Sequence, residues 1–287
     1  MSTQVFACIR DEDSPIAVLG APLDSTGTYR PGSRFAPQKI REAACNIELY
    51  SLLAGVSLDD VGYKDYGDVM LPQGDTEKSI EVLRLVIENL RKEHRGLLLI
   101  LGGEHLVTYP AVLALKNSID TLVVFDAHLD ARREYLGSKV NHATFLRILL
   151  EKGMRVVHIG SRAYSKEELE FVREGRANLE VYDVTRVMRK DFDLKDLGRV
   201  YISIDFDVFD PSLAPGVSNP EPFGLSLASF GEVLTRIYEK ASDVVAIDIV
   251  EVNPVVDCGD VTSILAAKVA IECVGLYLKR RGWMGLA

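Results

Sequence analysis

No C-x-x-C pair occurs among the cysteines; Cys8, Cys45, Cys258 and Cys273 stand far apart in the chain. That spacing argues against a thiolate zinc site or a dithiol redox motif. It leads to the expectation of reduced, mostly buried thiols in a cytoplasmic protein. Basic charge is in deficit as well. With 33 Lys and Arg against 42 Asp and Glu, the formal charge is −9. Nucleic acid is therefore not an expected partner, because phosphate binding needs a basic surface. The opening stretch MSTQVFACIRDEDSP has no basic segment followed by a long apolar one, so no signal peptide is expected. The longest apolar segment, 263–278, carries Lys268 and Glu272. It reads as a core helix, and no membrane partner is expected. Repeats, low-complexity tracts, linkers and a phosphate-cradling Gly-rich loop are also missing. A length of 287 residues without a linker predicts one domain over 1–287.

What the chain does have is short apolar runs rich in Val, Ile and Leu. They lie at 15–22, 96–103, 121–127, 155–162, 179–184, 199–208 and 244–252, with a weaker one at 61–68. Runs that are apolar at successive positions fit strands covered on both faces. Helical patterns fall between them, at 37–54, 76–95, 107–118, 142–152, 165–175, 226–240 and 260–281. Alternation of this kind predicts an α/β fold, a parallel sheet with helices on both faces. In such sheets the functional crevice lies beyond the carboxyl ends of the strands.

Four of those ends carry clustered polar residues. They deliver Glu104 and His105; Asp126, His128 and Asp130; Asp205, Asp207 and Asp210; and Asp248 and Glu251. Any one of these Asp residues reads most simply as a helix N-cap, and a lone His as a satisfied core residue. Together they would crowd like charges in a half-buried place, which is costly without a counter-charge. A divalent cation answers that need. The donor set is oxygen-rich with imidazole and no thiolate, which suits Mn²⁺ or another divalent first-row ion. The carboxylate count exceeds what one ion requires, so two metals are expected.

GGEH at 102–105, DAHLD at 126–130, SIDFDVFDP at 203–211 and EVNP at 251–254, in this order, resemble the ureohydrolase family of agmatinase, arginase and relatives. The opening GAPLDSTGTYRPGSRFAPQKIR is similar to that family as well, and the likeness to agmatinases is closer than to arginases. The resemblance implies a three-layer α/β/α fold with an eight-stranded, mostly parallel sheet, and two Mn²⁺ ions. One ion would take His105, Asp126, Asp130 and Asp205; the other His128, Asp126, Asp205 and Asp207. Glu251 would hold the guanidinium, His142 would shuttle a proton, and Asp248 would sit behind the ligands. Read alone, His142 is an ordinary helix-start residue. His94 and His158 carry no expected role.

The chemistry implied is attack of metal-activated water on a guanidinium carbon, giving urea and an amine. A small cationic guanidino compound is the expected partner, and the resemblance implies a trimer or hexamer. Agmatine is the expected substrate, in polyamine biosynthesis. Alternatives are N1-aminopropylagmatine, arginine and guanidinobutyrate. Arg132 stands where arginases carry an Asn, which argues against arginine. Arg132 and Arg133 bring positive charge near the mouth, with Glu134 and Glu221 as candidates for a distal amine. A zinc deacetylase of the same fold and a non-catalytic binding protein are the rival classes.

Overall fold

A computed structural model describes residues 4–72, 74–175 and 178–283. Its centre is an eight-stranded sheet built from β1 (Ile16–Ala21), β4 (Lys64–Asp68), β5 (Leu97–Gly102), β6 (Thr121–Phe125), β7 (Arg155–Ile159), β8 (Leu179–Tyr182), β9 (Gly198–Asp205) and β10 (Ala241–Val250). The order across the sheet is β4-β1-β5-β10-β9-β6-β7-β8, and every neighbouring pair is parallel. A separate antiparallel hairpin joins β2 (Tyr50–Ser51) to β3 (Val56–Ser57).

Side chains alternate across the sheet, and two cores result. In β5, Leu97, Leu99 and Leu101 enter one core with Ile40, Phe230 and Ala266 of α1 (Ala36–Ala44), α7 (Leu227–Lys240) and α8 (Val261–Arg280). Leu98 and Ile100 enter the other, with Leu83, Val112 and Leu149 of α2 (Thr76–Glu93), α3 (Thr108–Leu115) and α4 (Phe145–Glu151). Helices thus cover both faces, and the result is the three-layer α/β/α arrangement with an all-parallel eight-stranded sheet. The remaining helices are α5 (Lys166–Glu174) and the short α6 (Val184–Met188).

Local signals set several boundaries. Asp75 caps α2 by accepting the Lys78 N–H at 3.0 Å. Ser165 and Glu168 form a reciprocal capping box on α5. Two expected segments differ. The helix read over 37–54 stops at Ala44, and Leu49, Ala54 and Val56 reach the core from the hairpin instead. The helix read from 142 begins at Phe145, which leaves His142 in the preceding turn. Among the described residues one helix is long and apolar enough to cross a membrane, but 78% of its apolar stretch is buried inside the fold.

The expectation of reduced thiols is corrected for two of the four cysteines. Cys8 and Cys45 form a disulfide with a Cα–Cα distance of 5.2 Å. The end of α1 carries Cys45 back to the N-terminal 3₁₀ turn, a contact that a separation of 37 residues concealed. Cys273 is a buried free thiol, and Cys258 is free and exposed.

Candidate active site

Four adjacent strands in the middle of the sheet, β5, β10, β9 and β6, end at one crevice. Beyond β5 the chain turns through Gly103, where any Cβ would lie 2.0 Å from the Leu23 carbonyl oxygen. Only glycine fits that approach, and it lets His105 open the next turn. Asp126 follows β6 directly, Asp205 ends β9, and Glu251 follows β10. Asp130 and Glu251 have positive φ, 52° and 63°. For a non-glycine residue that conformation costs on the order of 1–3 kcal/mol, and such strain concentrates at functional sites.

The result is a buried cluster. His105 Nδ1 lies 3.1 Å from Asp126 Oδ2, 3.3 Å from Asp130 Oδ2 and 3.0 Å from Asp205 Oδ2. His128 Nδ1 lies 2.8 Å from Asp207 Oδ2 and 3.7 Å from Asp126 Oδ1. The carboxylates are held by backbone donors. Asp126 Oδ1 accepts the His128 N–H at 2.6 Å, Asp205 Oδ1 the Asp207 N–H at 2.8 Å, and Asp207 Oδ1 the Ala127 N–H at 3.0 Å.

Beneath His105 sits a second layer of polar groups. Asp248 accepts hydroxyl protons from Ser203 (2.6 Å), Thr108 (2.8 Å) and Tyr201 (2.7 Å). Sheet register places Asp248 opposite Ser203 on β9. With the Ser203 proton committed to Asp248, its oxygen accepts from His105 Nε2 at 3.0 Å. The proton on Nε2 leaves Nδ1 with a lone pair, aimed at three carboxylate oxygens.

That arrangement is a test of whether a cation fits. His105 Nδ1 and Asp126 Oδ2 are buried and have no hydrogen-bond partner among the described residues. A lone pair facing three carboxylates is repulsive unless something positive lies between them. Donor atoms about 3 Å apart are the edges of an octahedron with bonds of about 2.1 Å. His105, Asp126 and Asp205 form one group able to hold an ion; Asp126, His128 and Asp207 form an adjacent one. Sharing of Asp126 between them makes this a binuclear metal site.

Electrostatics of the unmetallated cluster point the same way. Burial raises the Asp130 carboxyl, with the Asp126 charge adding, to about 7. Burial and the charges of Asp207 and Asp126 push Asp205 well above the carboxylate range. Burial disfavours charge on His105 and His128 also, yet the surrounding aspartates hold both imidazoles well above their usual range. Protons, in short, occupy a place where net positive charge is required.

Asp248→Asn tests the supporting layer. One of three hydroxyl donors would meet an amide N–H₂ in place of a carboxylate oxygen. We expect a loss of about 1–3 kcal/mol in denaturant unfolding, and about 10–100-fold weaker metal binding by calorimetry. Unchanged metal affinity would mean that Asp248 does not orient His105.

Above the cluster opens a cleft of about 490 Å³. His128, Asp130, Asp205, Asp207 and Glu251 form its floor side, and His142, Tyr135, Arg132 and Glu168 also line it. Glu251 Oε1 accepts the His105 N–H at 2.8 Å. Burial, with the charges of Glu104 and Asp207, raises its carboxyl to about 8. His142 is lowered to about 4 by burial and by the neighbouring imidazoles. Burial likewise raises Glu104 to about 7. The loops at 24–32 and 213–224 reach the cleft through Gly27, Thr28 and Tyr29 and through Ser218, Asn219 and Glu221.

Not every strand-end residue joins. Asp210 turns away and accepts N–H groups of Ser212 (3.1 Å) and Gly224 (3.1 Å). Arg133 is 73% exposed at its side chain and faces Glu167. Glu134 is exposed and does not line the cleft. His94 bonds the Pro15 carbonyl at the end of α2, and His158 lies wholly buried in β7. Sequence reasoning missed Arg162, whose guanidinium donates to carbonyls of Asp207 (2.6 Å), Glu221 (2.8 Å) and Pro222 (2.9 Å). It ties the 209–224 loop to the end of β7, and a lone Arg after a strand gives no signal of that role. Ser203 and Thr108 were also missed, because their partners lie 45 to 140 residues away.

The chain matches the profile of the Arginase family over residues 14–275. It is 35% identical over 272 residues to an agmatinase of Bacillus anthracis, covering 93% of each chain. It is 35% identical over 283 residues to an N(1)-aminopropylagmatine ureohydrolase of Thermococcus kodakarensis, covering 96% of this chain and 94% of that one. Among solved structures it is similar to the agmatine ureohydrolase of Thermoplasma volcanium. That likeness has a TM-score of 0.83 and 33% identity, over 98% of this chain and 96% of the other. A fold, a metal site at the centre of its sheet and a profile match over most of its length therefore make this chain a member of the arginase family.

Proposed function

We propose that this protein hydrolyses the guanidino group of agmatine to urea and a diamine, using two Mn²⁺ ions, as a step in polyamine biosynthesis. The observation that carries the reading is the convergence of three carboxylate oxygens within 3.3 Å of His105 Nδ1, with Glu251 on the same cleft. His105, Asp126, Asp130 and Asp205 would hold one ion, and His128, Asp126, Asp205 and Asp207 the other. When bound, such ions acidify water toward neutral pH and stabilise developing negative charge.

The chain's own residues do the rest. Glu251 receives the planar guanidinium, which pairs with a carboxylate through a fork of N–H donors. His142 is neutral at working pH and can take a proton and return it to the departing amine. Arg162 and the 209–224 loop close one side of the cleft. For the distal ammonium, Glu221 is the candidate; its carboxylate lies 3.6 Å from His128 Nε2 on the cleft lining. Assembly as a trimer or hexamer belongs to the same reading and is checked by light scattering.

The test is urea release by metal-stripped and Mn²⁺-reloaded protein on agmatine, N1-aminopropylagmatine, arginine and 4-guanidinobutyrate. Agmatine should give the highest kcat/KM and arginine the lowest. Urea from none of the four, or full activity after stripping and chelation, overturns the reading.

A pH dependence follows from Glu251. Its carboxyl is raised to about 8, so below that pH it is mostly neutral and a guanidinium must displace its proton. The ionised form binds the cation, so kcat/KM should rise with pH and level off above about 8. A flat profile between about pH 6 and 9 contradicts the assigned role.

A further inference from the structure

Two loops line the cleft, and one side chain bonds both. Residues 24–32 reach the cleft through Gly27, Thr28 and Tyr29, and residues 213–224 through Ser218, Asn219 and Glu221. Asn253, two residues past Glu251, is fully buried. Its Nδ2 donates to the Arg30 carbonyl at 2.9 Å and to the Pro31 carbonyl at 3.3 Å, and lies 3.5 Å from Ser218 Oγ. Its main-chain N–H donates to the Gly216 carbonyl at 2.7 Å. Its Oδ1 accepts the Val255 N–H at 3.1 Å. That bond fixes which way the amide faces, because a carbonyl oxygen and an N–H₂ cannot exchange places against these partners.

Each loop is also closed on itself. Asp24 Oδ2 accepts the Gly32 N–H at 2.8 Å and Arg34 Nε at 3.1 Å, which shuts the base of the first. Arg162 holds the carbonyls of Glu221 and Pro222 in the second, and Val217 bridges Val252. The first loop comes as near to Asn253 as glycine permits. Gly32 has φ +137°, and a Cβ there would lie 2.3 Å from Asn253 Oδ1. The amide therefore sets the distance from one closed loop to the other.

We propose that Asn253 is a positioning residue that holds the 24–32 and 213–224 loops at a fixed separation, and so selects among substrates by the part beyond the guanidino group. The consequence for substrate rests on the role given to Glu251 above; the hydrogen bonds do not. A chain attached to that group shares the cleft with Tyr29 of one loop and with Asn219 and Glu221 of the other. Loops that drift apart lose hold of that chain, while the groups at the strand ends stay where they are. Contacts to a part of the substrate that does not react are made alike before and during the reaction, so their loss raises KM and spares kcat.

The test is hydrogen exchange by mass spectrometry on the full chain, with Asn253→Leu and Gly32→Ala. Leucine keeps the bulk of asparagine and removes its donors; the alanine Cβ would push on Asn253 from the loop side. Both variants should exchange on the order of 10-fold faster in peptides over 24–32 and over 213–224 together, with β5 and β6 at the parent rate. With Mn²⁺, Asn253→Leu should raise KM for agmatine on the order of 10-fold and keep kcat within about threefold. Methylguanidine, which has no tail, should keep its parent KM. Exchange that rises in one loop alone, or in neither, overturns the coupling. Agmatine and methylguanidine weakened alike would overturn the selection. Should Asn253→Leu fail to fold, Gly32→Ala carries the same measurements. Should no guanidino compound yield urea, calorimetric Kd values for the two compounds replace KM, so failure of the hydrolytic reading stays distinct from failure of this one.

Discussion

Asp205→Asn is expected to lower urea release by at least about 10³-fold, about 4 kcal/mol of barrier, while leaving the metal-free protein as stable as the parent or more so. The two effects have one cause. Asp205 would help to hold the metal, and an amide cannot supply its charge. Without metal, that same charge is a liability. Burial and the charges of Asp207 and Asp126 push the carboxyl well above its usual range. In the fold, then, Asp205 binds its proton more tightly than in the unfolded chain. Stability lent by that proton is present at low pH and falls as pH rises above about 4. Asn removes the titration and keeps an oxygen for the Asp207 N–H, now accepted by Asp205 Oδ1 at 2.8 Å. Metal added at 1,000 times its Kd should stabilise the parent by about 4 kcal/mol and the variant far less. Melting curves with Mn²⁺ and with chelator check both halves. A metal-free variant that melts well below the parent, or one that keeps its activity, is inconsistent with this account.

That liability is also why the cluster could be read before the fold was known. Aspartates and histidines at the ends of apolar runs are visible in one dimension, because strands deliver their termini to one edge of a parallel sheet. DAHLD and SIDFD carry this directly. The residues that orient them do not. Ser203 falls inside a strand pattern, and Thr108 reads as the start of a helix. Their shared partner Asp248 lies 140 residues from Thr108. Only register between β9 and β10 brings such groups together. Glu104 was visible but had no partner until the loop carrying Thr26 folded over it.

Fold errors have similar causes. Apolar residues from Ile47 to Leu53 continue the helical pattern of α1, but Glu272 of α8 accepts the N–H groups of Leu52 (3.0 Å) and Leu53 (2.9 Å). A tertiary partner 220 residues away thus outweighs a local period and turns the chain into a hairpin. The Cys8–Cys45 disulfide escaped for the same reason, since neither cysteine has a local signature. Short α6 has only one turn of sequence, Val184 to Met188, too little to show a period.

Glu251→Gln is expected to lower kcat/KM for agmatine by about 10²–10³-fold, the 3–4 kcal/mol range seen when one partner of a desolvated charge pair is neutralised. Glutamine keeps an oxygen for the His105 N–H, which Glu251 Oε1 now accepts at 2.8 Å. Metal affinity should therefore change only a few-fold. Glu251→Ala removes the acceptor as well, leaves that N–H unpaired and should cost a further 1–3 kcal/mol or so of stability. The pair of variants separates charge from scaffolding. A third measurement ties the charge to the substrate. With its carboxyl raised to about 8, Glu251 is mostly protonated at pH 7, and a guanidinium that pairs with it must expel that proton. Calorimetry in buffers of different ionisation enthalpy should show proton release on binding a non-hydrolysable guanidinium at pH 7, fading toward pH 9.5 and missing in Glu251→Gln. Release that persists in the variant would put the proton, and with it the cation's partner, on some other group of the cleft.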